Sequence, residues 1–276
     1  MIEALSYGFM QNAVMAALLA SVACGVIGSL VVVNRMVFLS GGIAHAAYGG
    51  VGLAFFLGLP VLPCTLGFTL VASGVVSAVM VRRPARSDTL IGVLWAAGMA
   101  FGILLLDMTP GYNVDLMSYL FGSILAVPGS DLVVMGALLV VIVVTVALLY
   151  TQFLSMSLDS EFSKSRGLRA HLLHIVLLGL VAVTVVMIIR VVGLILVIAL
   201  LTIPSYLAER LSSSLGRMMI VASLLSAGFC LMGLWAAYGL NLTSGASIIA
   251  VATICFLAFN VYEAASKRRK HAYARK

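Results

Sequence analysis

Charged residues are scarce in this chain. Only 9% of its 276 residues are Asp, Glu, Lys or Arg, whereas a soluble domain carries about 25%. Hydrophobic residues make up 63% of the sequence, which is more apolar surface than a soluble core can bury. The composition therefore excludes a soluble globular protein and indicates that lipid surrounds most of the chain.

Paired cysteines are also missing. The four cysteines lie singly in apolar runs, with no CxxC spacing between any two of them: Cys24, Cys64, Cys230 and Cys255. This pattern argues against a disulfide framework and against a cysteine-based metal site. We expect the four side chains to pack as small apolar groups.

Several catalytic and nucleotide-binding motifs are absent. No GxxxxGK[ST] occurs, so the chain does not bind ATP through a P-loop. No HExxH or GxSxG occurs either, which argues against an intramembrane hydrolase. The net charge is +7, but the basic residues form no continuous face with interleaved aromatics, so we expect no nucleic-acid binding.

The basic residues that are present fall into five short segments. They are Arg35; Arg82, Arg83 and Arg86; Lys164, Arg166 and Arg169; Arg210 and Arg217; and six residues between Lys267 and Lys276. Because basic residues in short loops mark the cytoplasmic side, we expect all five segments on that side. Arg190 alone is left over, near the outer end of a span. The basic tail 265–276 is then cytoplasmic, and the whole chain, 1–276, is one transmembrane domain.

Apolar stretches of the length needed to cross a bilayer, about 20 residues, separate these segments. We predict an all-α polytopic membrane protein with eight or nine transmembrane helices. The nine predicted spans are 10–33, 42–59, 64–81, 89–106, 131–150, 171–189, 192–207, 216–238 and 245–263. Nine spans with a cytoplasmic C-terminus place the N-terminus outside. We interpret 112–127 as a short re-entrant or interfacial helix, because a full crossing there would move the basic loop 151–170 outside.

His45 is the clearest candidate for chemistry inside the membrane. It lies in the second span, in a segment rich in glycine and alanine, which allows neighbouring backbones to approach closely. A neutral imidazole is a good ligand for a divalent transition metal. The residues leave open whether His45 binds a metal or is a buried histidine that forms a hydrogen bond between helices.

Two further histidines share a helix face. His171 and His174 are three residues apart at the predicted cytoplasmic start of a span. We interpret them as a polar cap at the level of the lipid headgroups. An intramembrane metalloenzyme that combines them with His45 is a weaker alternative, because nothing resembling a general base lies near.

The loop 151–170 contains an amphipathic segment. Asp159 can cap a two-turn helix at its N-terminus, and Gly167 can adopt the left-handed conformation beyond its end. Glu161 and Phe162 lie between them. Such a cytoplasmic element, at 157–168, can lie on the membrane or dock into a soluble partner, and periodicity does not distinguish the two.

A proline interrupts the predicted span 192–207. Pro204 frees a backbone carbonyl, and a hydroxyl of Thr202 or Ser205 can satisfy the local groups. Broken helices often line substrate pathways, although an ordinary kinked span fits equally well.

In combination, these segments resemble the permease subunit of bacterial metal-ion ABC importers, the zinc/manganese/iron family known as ABC-3. Four segments match the family's motifs in the family's order: 41–46 with Asp-x-x-x-His-Ala, 113–122 with VDLMxYLFG, 159–168 with its cytoplasmic coupling segment, and 192–208 with VGxLLVxALLxIPxxxA. The likeness covers nearly the whole chain.

The resemblance implies partners and roles. Two copies of the permease would pair with two cytoplasmic ATPase subunits, and an extracytoplasmic metal-binding protein would deliver the ion. Asp159, Glu161, Phe162 and Gly167 would belong to the helix that the ATPase receives, and His45 would lie on the ion pathway. The chain would hold no permanent cofactor, and would sit in the bacterial inner membrane.

One position departs from the family. The residue four before the histidine is usually Asp, but here it is Gly41, so one carboxylate ligand is missing. Ser40 or Asp115 can supply a replacement, or the ion is held more weakly in transit. Thr202 and Pro204 are further pathway candidates. The sequence VDLMSYLFG favours zinc as the transported ion, with manganese or iron as alternatives. A proton-coupled carrier is a weaker alternative to the ABC importer.

Overall fold

The computed structural model describes residues 6–82, 87–109, 122, 124–158 and 170–273. These residues form ten α-helices and one short 3-10 turn at Ile124–Ala126, and no strand occurs among them. The helices are α1 (Gly8–Val33), α2 (Val37–Leu57), α3 (Val61–Arg82), α4 (Ser87–Asp107), α5 (Gly129–Leu148), α6 (Tyr150–Leu158), α7 (Ala170–Val192), α8 (Leu194–Leu211), α9 (Leu215–Leu240) and α10 (Ser244–Tyr273). The predicted all-α class is confirmed.

Eight of these helices in the described part of the chain are long and apolar enough to cross a membrane: α1, α2, α3, α4, α5, α7, α9 and α10. The count agrees with the predicted eight or nine. The remaining predicted span, 192–207, corresponds to α8, which has 18 residues and so is about 27 Å long. Most of the predicted re-entrant segment 112–127 lies outside the described residues.

Two helices differ from the sequence prediction. α6 (Tyr150–Leu158) occupies the start of the predicted loop 151–170, and Leu149 separates it from α5. α10 continues through Tyr273, so the last span and most of the basic tail form one helix. No glycine or proline marks the break at Leu149, which explains why α6 was not predicted.

Glycine permits the closest helix contacts in the bundle. A Cβ atom added at Gly98 of α4 would lie 2.6 Å from the Cα atom of Ala46 in α2, and one added at Gly50 of α2 would lie 2.7 Å from the Cα atom of Thr65 in α3. Such distances leave no room for a side chain. The predicted close approach of backbones around His45 is therefore confirmed.

The chain segments next to Arg35, Arg210 and Arg217 meet at one end of the bundle, together with α6, whereas the basic segments 83–86 and 164–169 lie outside the described residues. Asn34 donates a hydrogen bond from Nδ2 to the Ser157 hydroxyl at 2.9 Å, and the Gly216 amide donates to the Tyr150 hydroxyl at 2.9 Å. Arg210 lies 3.4 Å from the Glu263 carboxylate. That this shared end faces the cytoplasm stays a prediction.

α2 lies deep in the bundle, packed against α3, α4, α7 and α8. By contrast, α3, α4, α5 and α10 expose most of their apolar surface. Exposed apolar side chains on these helices contact lipid or another protein chain. Of the eight candidate spans in the described part of the chain, α2 has the largest buried share.

Candidate functional site

Two adjacent glycines near the start of α2 show which helices lie beside it there. A Cβ atom at Gly41 would lie 3.3 Å from Cδ1 of Ile198 in α8, and one at Gly42 would lie 2.7 Å from Cγ2 of Ile91 in α4. Successive helical residues are rotated by about 100°, so His45 points about 40° from the direction of Gly41, towards Gly42. His45 therefore projects between α8 and α4.

α4 supplies the direct contacts of His45. The imidazole stacks on the Trp95 ring, with centroids 4.0 Å apart and planes inclined by 15°. Its Nδ1 atom lies 3.1 Å from the sulfur of Met99. Trp95 and Met99 are four residues apart and share one face of α4. All three side chains are half-buried, so this cluster lies at an accessible edge of α2.

Sequence reasoning missed Trp95 and Met99. Their spacing of four residues was visible, but nothing in the sequence indicates that this face of α4 meets His45. Phe38, seven residues before His45 on the same side of α2, adds a ring that is 56% exposed and lies 6.3 Å from Trp95. Trp95 therefore lies between the imidazole and the Phe38 ring in a chain of ring contacts.

Position 41, where the family has an aspartate, supplies no carboxylate beside His45. Gly41 has no side chain, and Ile198 fills the neighbouring space. Ser40 is buried, and its hydroxyl donates to the Val37 carbonyl of its own helix at 2.8 Å. Asp115, the other candidate replacement, lies outside the described residues.

α8 lies beside α2 at Gly41, one turn before His45. Gly193, with φ +78°, breaks the chain between α7 and α8, and Pro204 is buried within α8. Thr202 is four residues from Ile198 and therefore on the same side of α8. The hydroxyls of Thr202 and Ser205 are buried without a hydrogen-bond partner. Our expectation that one of them satisfies the local backbone is wrong.

No three His, Cys, Asp or Glu side chains come together as a metal site among the residues that the structure places. His171 is exposed and His174 half-buried at the start of α7, as expected for a polar cap. The four cysteines are free thiols, two of them buried in α1 and α9. Asp159, Glu161, Phe162 and Gly167 lie outside the described residues, directly after the end of α6 at Leu158.

A buried helix with an imidazole at an accessible edge, inside a bundle of apolar spans, is compatible with a membrane transport protein. The chain belongs to the ABC 3 transport family, whose family model matches residues 6–263. Members of this family transport and do not catalyse a reaction, so the chain is a transport subunit and not an enzyme.

Relatives of similar length support this membership. A membrane protein of Synechocystis is 49% identical over 257 residues, which are 93% of this chain and 92% of that one. The manganese transport system membrane protein MntC of Listeria monocytogenes is 32% identical over 91% of this chain and 90% of its own length. The manganese import system permease protein ScaB of Streptococcus gordonii is 30% identical with the same coverage.

Solved structures show the same fold. A chain of PsaBC from Streptococcus pneumoniae, determined in complex with Fab, superposes with a TM-score of 0.84 at 29% identity over 93% of both chains. A transporter described as of the metal-chelate ABC type, in an inward-facing conformation, gives a TM-score of 0.73 over 92% of this chain and 85% of that one. Its identity of 16% makes this second likeness one of fold alone.

Proposed function

We propose that this chain is the permease of an ATP-driven importer that moves divalent manganese into the bacterial cytoplasm. The observation that supports manganese is the name of the relatives MntC and ScaB, which match this chain over 91% of its length. Zinc, which the sequence favoured, has no such support. Zinc and iron remain alternatives within the same family.

We assign the ion pathway to the face of α2 that carries His45. The imidazole lies between α4 and α8 at a half-buried edge, where a passing ion can reach a ring nitrogen. Gly41 has no side chain and so contributes no ligand, and Ile198 of α8 lies close to it. The other pathway candidates stay Ser40, Asp115, Thr202 and Pro204. Thr202 lies on the described part of α8, and its buried hydroxyl has no hydrogen-bond partner.

The proposed assembly has two copies of this chain, two ATPase subunits and an extracytoplasmic binding protein. The broad apolar surfaces of α3, α4, α5 and α10 provide area for the second copy and for lipid. We assign the ATPase contact to 157–168, with Asp159, Glu161, Phe162 and Gly167. ATP binding in the partner would move this segment and the helices joined to it.

A proton-coupled carrier finds no support in the described residues. Such a carrier needs a protonatable acid in mid-membrane. The acids whose side chains the structure describes lie in the first or last turns of helices or spans: Asp107, Asp131, Glu209 and Glu263.

Uptake of radioactive manganese and zinc, measured in competition in metal-depleted cells, tests the proposal. The cells carry this chain together with its ATPase and binding-protein partners, and matched cells carry an ATPase unable to hydrolyse ATP. We expect ATP-dependent manganese uptake that excess unlabelled manganese suppresses. Uptake of neither ion would overturn the proposed substrate, and uptake of zinc alone would restore the zinc alternative.

A further inference from the structure

The contact between His45 and Met99 has the geometry of two ligands on one metal ion. Typical bonds from zinc are about 2.0 Å to imidazole nitrogen and about 2.3 Å to thiolate sulfur, and a bond to a neutral thioether sulfur is longer, so two such donors at about 90–110° to one another lie about 3.1 Å or more apart. The observed separation of Nδ1 and the thioether sulfur is 3.1 Å. The two atoms are in direct contact, so an ion that binds both of them replaces any N–H···S hydrogen bond between them and requires a rotation of the Met99 side chain.

The surroundings hold both donors in place. Trp95 stacks on the imidazole at 4.0 Å, which fixes the plane of the ring. Met99 and Trp95 are one turn apart on α4, and Gly98 brings α4 against Ala46, next to His45. The backbones that carry the two donors therefore cannot separate easily, and Met99 stays within reach of Nδ1.

The donor set is soft. Carboxylate and water oxygens suit manganese, whereas imidazole suits zinc, copper and iron, and thioether sulfur suits soft ions. Position 41, where a carboxylate would share the helix side of His45, is a glycine. Among the described residues, His45 belongs to no group of three or more His, Cys, Asp or Glu side chains that could hold a metal ion.

We infer that Met99 is the second ligand of an ion in transit at His45 and determines how the importer discriminates between soft and hard divalent ions. The inference rests on the proposed function, since it requires that a metal passes this site. The thioether binds soft ions such as zinc and cadmium more tightly than manganese, so these ions would compete with the proposed manganese substrate at this step. Water or the second copy of the chain completes the coordination.

X-ray absorption spectroscopy on the zinc-loaded permease–ATPase complex tests the assignment. We expect one sulfur scatterer in the first coordination shell of zinc in the wild type, at a distance longer than the roughly 2.3 Å of a thiolate bond, and its loss in Met99→Leu. Leucine replaces methionine at similar volume, so the packing changes little. Met108→Leu is the matched control, because Met108 lies just beyond the same helix and is 64% exposed; this variant keeps the sulfur scatterer.

Selenomethionine labelling of the wild type provides a second measurement without any mutation. We expect the sulfur scatterer to be replaced by selenium, which excludes a cysteine as its source. Retention of sulfur in the labelled protein, or in Met99→Leu, would overturn the assignment. A wild-type complex that binds zinc without any sulfur scatterer would overturn it as well.

Transport distinguishes a ligand from a structural contact. If Met99 is a ligand, Met99→Leu lowers zinc and cadmium uptake by about tenfold and changes manganese uptake much less. An equal loss for all three ions would show that Met99 only supports the fold around His45. A wild-type complex that transports no metal would instead overturn the proposed function, so the two failures are distinguishable.

Discussion

Trp95 of α4 lies flat against His45 of α2, with ring centroids 4.0 Å apart and planes inclined by only 15°. A stack of this kind restricts rotation of the imidazole. The Met99 sulfur, 3.1 Å from Nδ1, is the other direct contact of the ring. Trp95 therefore fixes the plane of the proposed ion ligand.

Replacement of Trp95 is expected to impair transport without unfolding the protein. In Trp95→Ala the imidazole gains rotational freedom, and we expect uptake of the transported metal to fall by about tenfold, as for other groups that orient a metal ligand. Trp95→Phe, which keeps a ring, retains part of the activity. Trp235→Ala is the matched control, since Trp235 is 60% exposed on α9. A similar loss in both alanine variants would contradict the role of Trp95.

The close contact between α2 and α4 is expected to determine stability. A Cβ atom at Gly98 would lie 2.6 Å from the Ala46 backbone, whereas one at Gly92 of the same helix meets nothing within 4 Å. We expect Gly98→Ala to destabilise the protein by about 1–3 kcal/mol and Gly92→Ala to leave it unchanged or slightly more stable. Thermal unfolding in detergent measures both, and equal melting temperatures for the two variants would contradict the packing.

The side of the membrane can be tested by cysteine labelling. After the four native cysteines are replaced, Ser213→Cys reports on the end of the bundle that carries Arg210 and Arg217. Leu242→Cys reports on the opposite end. Leu242 is 56% exposed, in the turn between α9 and α10. We expect a membrane-impermeant maleimide to label Leu242→Cys in spheroplasts. We expect the same reagent to label Ser213→Cys only in inverted vesicles. The reverse pattern would contradict the predicted orientation.

Charge reversal in the segment after α6 tests ATPase coupling. We expect Glu161→Lys to abolish uptake while the protein inserts at normal levels, because the segment would lose its contact with the ATPase. Membrane abundance and copurification of the ATPase are measured alongside uptake. Normal uptake by this variant would remove the role that we assign to 157–168.

The helices were predictable to within a few residues because long apolar runs and basic loops mark the ends of membrane spans. The predicted span 42–59, for example, is α2 at Val37–Leu57. α6 was not predicted, since the break at Leu149 has no glycine or proline to mark it. Pro204 was visible as a possible interruption, but α8 continues through it from Leu194 to Leu211, and the unpaired hydroxyls of Thr202 and Ser205 were not predictable.

The neighbours of His45 were beyond sequence reasoning for a physical reason. The spans are apolar on all sides, so no amphipathic pattern shows which face of one helix meets another. His45 was identified from its cost inside a membrane, whereas Trp95 and Met99 are ordinary residues for an apolar helix. Only the packing of α2 on α4 shows that they belong to the same cluster.

The most direct test of His45 as a residue of the ion pathway is ATP-dependent metal uptake by the purified complex in proteoliposomes. Wild type and His45→Ala are compared for uptake of radioactive manganese, and ATP hydrolysis is measured in the same vesicles. We expect His45→Ala to lose uptake while the ATPase stays assembled and active. Unchanged manganese uptake in His45→Ala would contradict the account, because the ion would then cross the membrane without using this face of α2.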